Sequence, residues 1–308
     1  MRIPIVFSTD HNFVMPTGVA ISSLLRNSDT EKYDVIILAA EDLTDKDIEL
    51  LESLTEGTFS TIRLVNFGNT FDNAYEIRGI SKATYFRLLI PWMFPEYDKI
   101  IYCDGDIIFR KGLSELYSTS IEGYYVAGIK DFVFDKDFKE SIIQNGLSWD
   151  GYINGGVLLI NCKEQRNDNL LDEYKRHFDK RYTYQDQDII NIVCKSRIKY
   201  LSPVFNFNSN FYKYSICRPE YIEERFKETS DSLIKNITII HYCGLKPWRK
   251  EIGYLFSDWL ASYAKSKWYD PSLEFDMYST LFCKGFTIKE LLRMIKYSLF
   301  PLRFRYDK

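Results

Sequence analysis

Two aspartates one residue apart close an apolar run: Lys99-Ile-Ile-Tyr-Cys103 leads into Asp104-Gly105-Asp106 and then Ile-Ile-Phe109. Carboxylates at that spacing beyond a strand can share one hard cation, because Mg²⁺ and Mn²⁺ combine a few protein carboxylates with oxygens of a substrate's phosphates. The pattern points to a nucleotide-diphosphate site, although taken alone it reads equally as a solvated acidic turn. A second apolar run, Ile237-Thr-Ile-Ile240, ends in His241. A lone histidine is more often structural than a ligand, for all its versatility. Here its neighbours favour a phosphate site: Gly244 permits close backbone approach, Lys246 offers a compact cation, and Pro247-Trp248 can stiffen and wall the loop. An imidazole joining two carboxylates also moves metal preference from Mg²⁺ towards Mn²⁺.

Four more segments carry polar residues beside apolar ones: Phe7-Ser8-Thr-Asp10-His-Asn12, Thr84-Tyr-Phe-Arg87, Ile153-Asn154-Gly155-Gly156 running to Asn161, and Gln185-Asp186-Gln187-Asp188. Each has a bland reading. Asn154-Gly-Gly suits a tight turn before a strand, Arg87 and Asp131 could form an ordinary ion pair, and the acids at 186 and 188 suit a helix N-terminus. Taken in order with the acid pair and the histidine, however, the six segments resemble the motif series of family 8 glycosyltransferases. The chain is similar to bacterial lipopolysaccharide α-galactosyl- and α-glucosyltransferases, and more distantly to glycogenin, from about residue 3 to residue 250.

The resemblance implies a GT-A fold, an α/β nucleotide-sugar-binding domain around a mostly parallel, Rossmann-like sheet. It implies a retaining hexosyltransferase that takes galactose or glucose from a UDP-sugar and forms an α-linkage to a glycan or lipid-linked, lipopolysaccharide-type acceptor. By the same resemblance, Ser8, Asp10, Asn12 and Phe13 line the uridine pocket, and Thr84 and Arg87 meet the diphosphate or sugar. Asp104, Asp106 and His241 ligate Mn²⁺, with Mg²⁺ as the substitute, and Gly105 lies between the acids. Gly244 and Lys246 close on the diphosphate, while Asp131, Asn154, Gly155, Asp186 and Gln187 surround the hexose. One departure bears on Lys246: a single residue separates it from Gly244, where family members often have two or three.

Retention by double displacement needs a nucleophile beneath the anomeric carbon, the part a carboxylate plays in retaining glycosidases. The family position is Gln187, a poor nucleophile, so same-face attack by the acceptor hydroxyl as UDP leaves is expected, with Asp186 as the alternative nucleophile. Two other functions also compete. Haloacid-dehalogenase phosphatases place Asp-x-Asp after an apolar strand too, and a non-catalytic nucleotide-sugar-binding protein would keep the same contacts.

These groups need a scaffold that carries them to one place. Ile3–Phe7 and Asp34–Ala39 read as strands, with helical spacing from Gly18 to Arg26 between them. Thr44 is placed to cap a helix over Asp45–Leu54, and Ile62–Phe67 reads as the next strand. Lys99–Cys103, Tyr125–Ile129, Val157–Ile160 and Ile237–Ile240 complete the strands. Alternation of strands and helices predicts a parallel sheet covered on both faces, with its ligand site past the carboxyl ends of the strands. Residues 205–235 are mixed in character and read as irregular, acceptor-side structure.

The 308 residues, 45% apolar and 27% charged, exclude a disordered or fibrous chain and allow one large α/β unit with additions. Six cysteines without paired or zinc-ligand spacing suggest reduced thiols in a cytoplasmic enzyme. The first apolar run is too short for a secretory signal, and no run approaches the roughly eighteen residues of a membrane span. The formal charge of −3 hides an asymmetry: from Lys284 onwards seven basic residues face Glu290 and Asp307. Thr287 and Glu290 have capping-box spacing ahead of an amphipathic pattern reaching Phe300. The division expected is a catalytic domain over 1–270 and a basic segment over 271–308 that docks on the anionic inner face of the cytoplasmic membrane.

Overall fold

The computed structural model describes residues 2–28, 30–40, 42–66, 82–132 and 136–283. The amphipathic pattern at 287–300 lies outside the described residues.

Seven strands form the main sheet: β1 (Ile3–Thr9), β2 (Tyr33–Ala39), β3 (Thr61–Asn66), β4 (Lys99–Cys103), β6 (Val126–Lys130), β7 (Ile153–Asn161) and β8 (Ile198–Tyr200), in the order β3-β2-β1-β4-β7-β6-β8. All pairings are parallel except those that β7 makes with β4 and β6. The expected mostly parallel sheet is therefore present, with one reversed strand. β1 and β2 are almost wholly buried, as the unbroken apolar runs of strands covered on both faces require. Alternate residues feed opposite sides of the sheet. Ile5, Phe7, Val35, Ile37 and Ile101 enter one core, and Val6, Ile36, Leu38, Ile100 and Tyr102 enter the other.

The helix Val14–Asn27 returns the chain from β1 to β2. Thr44 and Asp47 form a capping box on the helix Asp45–Glu52, so the predicted start holds although the helix ends earlier than expected. Met277, on the helix Pro271–Cys283, is fully buried in the first core. Among the described residues no helix is long and apolar enough to cross a membrane, and none of the five cysteines whose side chains are described is in a disulfide.

The expectation of irregular structure over 205–235 is corrected by three helices, Ser209–Cys217, Pro219–Phe226 and Ser230–Asn236. Each is too short to stand alone, so packing and caps decide them. Asn208 accepts from the backbone of Asn210 and Phe211, Pro219 opens the second helix, Thr229 caps the third, and Phe211 stacks on Phe132 at 4.8 Å.

A second, three-stranded sheet was not anticipated. It comprises β5 (Ile107–Phe109), β9 (Phe207–Asn208) and β10 (Ile239–His241), with β10 central, antiparallel to β5 and parallel to β9. It gathers residues from about 100, 200 and 240 beside the carboxyl end of β4.

Candidate active site

The small sheet brings the acids to the histidine. Asp104 leaves β4 and donates its backbone N–H to the Gly156 carbonyl at 2.8 Å, while Asp106 enters β5. The β5–β10 register sets His241 opposite Ile107, and the Tyr242 N–H closes on the Asp106 carbonyl at 2.9 Å. The potential ligand atoms of Asp104, Asp106 and His241 consequently all lie within 4.8 Å of one another. His241 Nε2 is 3.1 Å from an Asp106 oxygen and 3.9 Å from an Asp104 oxygen. Two carboxylates and an imidazole nitrogen form a donor set that fits a divalent metal ion. Glycine is needed at two points here. A Cβ on Gly105 would stand 2.2 Å from Thr17 Oγ1, and one on Gly156 2.2 Å from His241 Cε1.

Asp106 and His241 are almost fully buried. Burial alone would raise the Asp106 pKa, but the Lys246 ammonium and His241 outweigh it and hold the carboxyl well below the usual carboxylate range. Lys246 pairs with Asp106 and also donates to the Tyr242 carbonyl at 2.7 Å. The short spacing from Gly244 thus puts the lysine against an acid of the cluster.

Arg87, 6% exposed, is enclosed by polar partners. Its guanidinium meets Asp104 at 2.9 Å, Asp186 at 2.8 Å and the Gly155 carbonyl at 2.5 Å, and lies over the Tyr102 ring at 4.4 Å. Burial lowers its pKa, but the charges of Asp104 and Asp186 more than reverse this. Arg87 therefore does not pair with Asp131, as one reading of the sequence allowed, and it joins the acid cluster to the helix Gln185–Cys194.

That helix does begin at the acidic segment, through a left-handed Gln185 with φ of 42°. Gln187 Oε1 accepts from the Gly155 N–H at 2.8 Å, and its Nε2 donates to Asp131 at 3.0 Å and to the Tyr152 hydroxyl at 3.2 Å. Asp131 also accepts from the Asn154 amide at 3.2 Å and from the Phe132 N–H at 2.7 Å. Burial pushes the Asp131 carboxyl above its ordinary value despite these donors. Asn154, Gly155 and Gly156 lie in β7 itself, so the tight-turn reading does not hold. Extending the strand to Ile153 makes a ladder edge of residues whose spacing resembles a turn.

At the carboxyl end of β1, Asp10 caps the short helix His11–Phe13 and accepts from the Phe13 N–H at 3.0 Å. Phe13 meets Trp248 edge-on at 5.9 Å. Ser8 is half-buried at the end of β1, and Asn12 is exposed. Thr84 belongs to the 3-10 helix Lys82–Leu89, and its side chain lies outside the described residues. A Cβ on Gly244 would meet no atom within 4 Å.

Three members of the site carried no assigned role in the sequence reading. Tyr152 donates to Asp188 at 2.7 Å. Asn206, 1% exposed, accepts from His241 Nδ1 at 2.8 Å and donates to Asn154 Oδ1 at 2.8 Å. Asp188 had a visible signal, being part of the Gln185–Asp188 motif. Asn206 had none, since Pro-Val-Phe-Asn-Phe-Asn has no motif spacing, and only the pairing of β9 with β10 brings it to the histidine.

A mostly parallel α/β sheet with buried acids, a histidine and cations beyond its strand ends is the arrangement expected of a GT-A fold. The chain belongs to glycosyl transferase family 8, whose sequence model matches residues 4–251. It is 28% identical over 273 residues to a lipopolysaccharide 1,2-glucosyltransferase of Escherichia coli, covering 84% of this chain and 77% of that one. It is 25% identical over 276 residues to general stress protein A of Bacillus subtilis, covering 86% and 94%. The crystal structure of the galactosyltransferase LgtC with donor and acceptor sugar analogs superposes with a TM-score of 0.73 at 24% identity, covering 89% of this chain and all of that one. Family membership over this span sets aside the phosphatase and the non-catalytic readings.

Proposed function

We propose that the protein transfers a hexose, galactose or glucose, from UDP to a hydroxyl of a lipopolysaccharide-type glycan, with retention as an α-linkage and dependence on Mn²⁺. The observation that carries the reading is the convergence of Asp104, Asp106 and His241 next to Arg87 and Lys246. Asp104, Asp106 and His241 would hold a divalent ion, which would supply Lewis-acid neutralisation of the diphosphate. Lys246 sits where its ammonium can turn from Asp106 to the departing UDP, stabilising charge that grows as the glycosidic bond breaks. Phe13 and Trp248 offer flat walls for the uracil, with Ser8, Asp10 and Asn12 at its edge and Gly244 admitting the phosphates.

Asp131, Asn154, Gly155, Asp186 and Gln187 then face the hexose. Same-face attack is supported by how these groups are engaged. Gln187, a poor nucleophile by its chemistry, has its Oε1 held by the Gly155 N–H, and a covalent intermediate on Asp186 would neutralise the carboxylate that balances the buried Arg87 charge. The acceptor oxygen bonds to the anomeric carbon as the bond to UDP breaks, and the acceptor's proton passes to a leaving phosphate oxygen. The basic residues beyond residue 283 support the membrane-docking part of the proposed division into a catalytic domain over 1–270 and a segment over 271–308, whose first helix is anchored to the catalytic core through Met277.

The test is UDP release from a panel of UDP-sugars with and without Mn²⁺. Release from UDP-galactose or UDP-glucose should require the metal. Asp106→Ala should abolish it while near-UV circular dichroism stays unchanged, and undiminished turnover in that variant would refute the metal site.

A further inference from the structure

We infer that Asn206 is the positioning residue of the proposed metal centre: its amide fixes the His241 ring so that Nε2, and not Nδ1, presents a lone pair to the Asp104–Asp106 cluster. The inference rests on the metal-site reading above.

The assignment follows from one unambiguous donor. The Gly156 backbone N–H can only donate, and it points at an Asn154 side-chain atom 2.9 Å away, so that atom is Oδ1. The other end of the Asn154 amide, Nδ2, then faces a carboxylate oxygen of Asp131, as a donor should. With Asn154 Oδ1 fixed as an acceptor, the Asn206 atom 2.8 Å from it must be Nδ2. Asn206 Oδ1 therefore faces His241 Nδ1 at 2.8 Å and can only accept, so Nδ1 carries a hydrogen. In a neutral ring this leaves Nε2 bare, and Nε2 is the atom that lies 3.1 Å from Asp106. A ligating histidine depends in this way on the partner of its other nitrogen, which sets both tautomer and orientation.

The same chain of bonds has a second consequence. His241, Asn206, Asn154, Asp131 and Gln187 form an unbroken relay from the acid cluster to the proposed hexose pocket. The histidine is thus oriented by groups that also face the sugar.

Mn²⁺ binding to the nucleotide-free protein, titrated by electron paramagnetic resonance, tests the role without turnover. Asn206→Leu removes both hydrogen bonds at similar volume and should weaken Mn²⁺ binding about 10–100-fold. Asn206→Asp keeps an acceptor for Nδ1 but loses the donor to Asn154 Oδ1, so it should bind Mn²⁺ less tightly than wild type yet more tightly than Asn206→Leu, a partial rescue that a merely space-filling role would not produce. A wild-type measurement is independent of how well the variants fold. In the Mg²⁺-loaded protein, imidazole nitrogen–proton spectra should show a slowly exchanging Nδ1–H from His241, with the signals of His11 and His177 identified by substitution. Wild-type binding with unchanged affinity in Asn206→Leu, or a proton on Nε2 of His241 in the loaded protein, overturns the inference alone. Wild-type protein that binds no Mn²⁺ overturns the metal-site reading, and the inference with it.

Discussion

Gly156→Ala adds one methyl group at the point where β7 passes the histidine, and its effect can be worked from the geometry. The new Cβ would stand 2.2 Å from His241 Cε1, 2.8 Å from Nδ1 and 2.9 Å from an Asp104 oxygen. Carbon atoms pack no closer than about 3.5 Å without repulsion, so the ring must retreat by roughly 1.3 Å. Metal–ligand distances tolerate only about 0.2 Å of error. The histidine is therefore lost as a ligand, and because disturbing a partner behind a ligand already costs about 10–100-fold, the top of that range is the least expected here. Overpacking costs about 1–3 kcal/mol, against a typical domain stability of about 5–15 kcal/mol, so the variant should remain folded. Calorimetric titration of Mn²⁺ should show affinity reduced at least about 100-fold, with a modestly lowered Tm. A folded Gly156→Ala protein that binds Mn²⁺ as tightly as wild type would mean that His241 is not a ligand, or that its ring sits elsewhere.

Arg87→Lys should cost about 3–5 kcal/mol, because one ammonium cannot serve Asp104, Asp186 and the Gly155 carbonyl together and leaves buried charge unpaired; thermal unfolding reads the loss. Lys246→Met should split two readouts, with tighter Mn²⁺ binding to the free enzyme once Asp106 is relieved of its ammonium and slower UDP release once that cation is missing at the leaving group. Weaker metal binding would show that Lys246 does not compete for Asp106. Away from the site, Glu31 accepts from the backbone of Leu113 and Ser114 and from the Tyr33 hydroxyl, and these bonds outweigh the opposing effect of burial to hold its pKa below the usual value. A depressed carboxylate adds stability above its unfolded pKa of about 4.3 and loses it as pH falls through the folded value. Denaturant unfolding of Glu31→Gln should accordingly give lower stability at neutral pH and a flatter acid limb than wild type; parallel curves would refute the assignment.

The sheet and most of the site are legible in the chain because their signals are local. β1, β2 and β4 are unbroken apolar runs, which only strands covered on both faces need, and Asp104, Asp106 and His241 announce themselves as polar residues at the ends of such runs. Thr44 and Asp47 likewise declare a helix start within four residues. What local pattern cannot carry is any pairing between distant segments. The three-residue strands β5 and β10 and the two-residue β9 are too short for a periodic signature, yet their register sets His241 beside Ile107 and Asn208. The helices over 209–236 carry local caps, but they are too short to stand on those alone and depend on aromatic packing against Phe132, which no window of sequence contains. For the same reason the motif series marks Arg87 and Asp186 without pairing them with each other, and does not mark Asn206 at all. Burial is what obliges each to find a partner, and the tertiary fold chose Asp104 and Asp186 for the arginine and His241 for the asparagine.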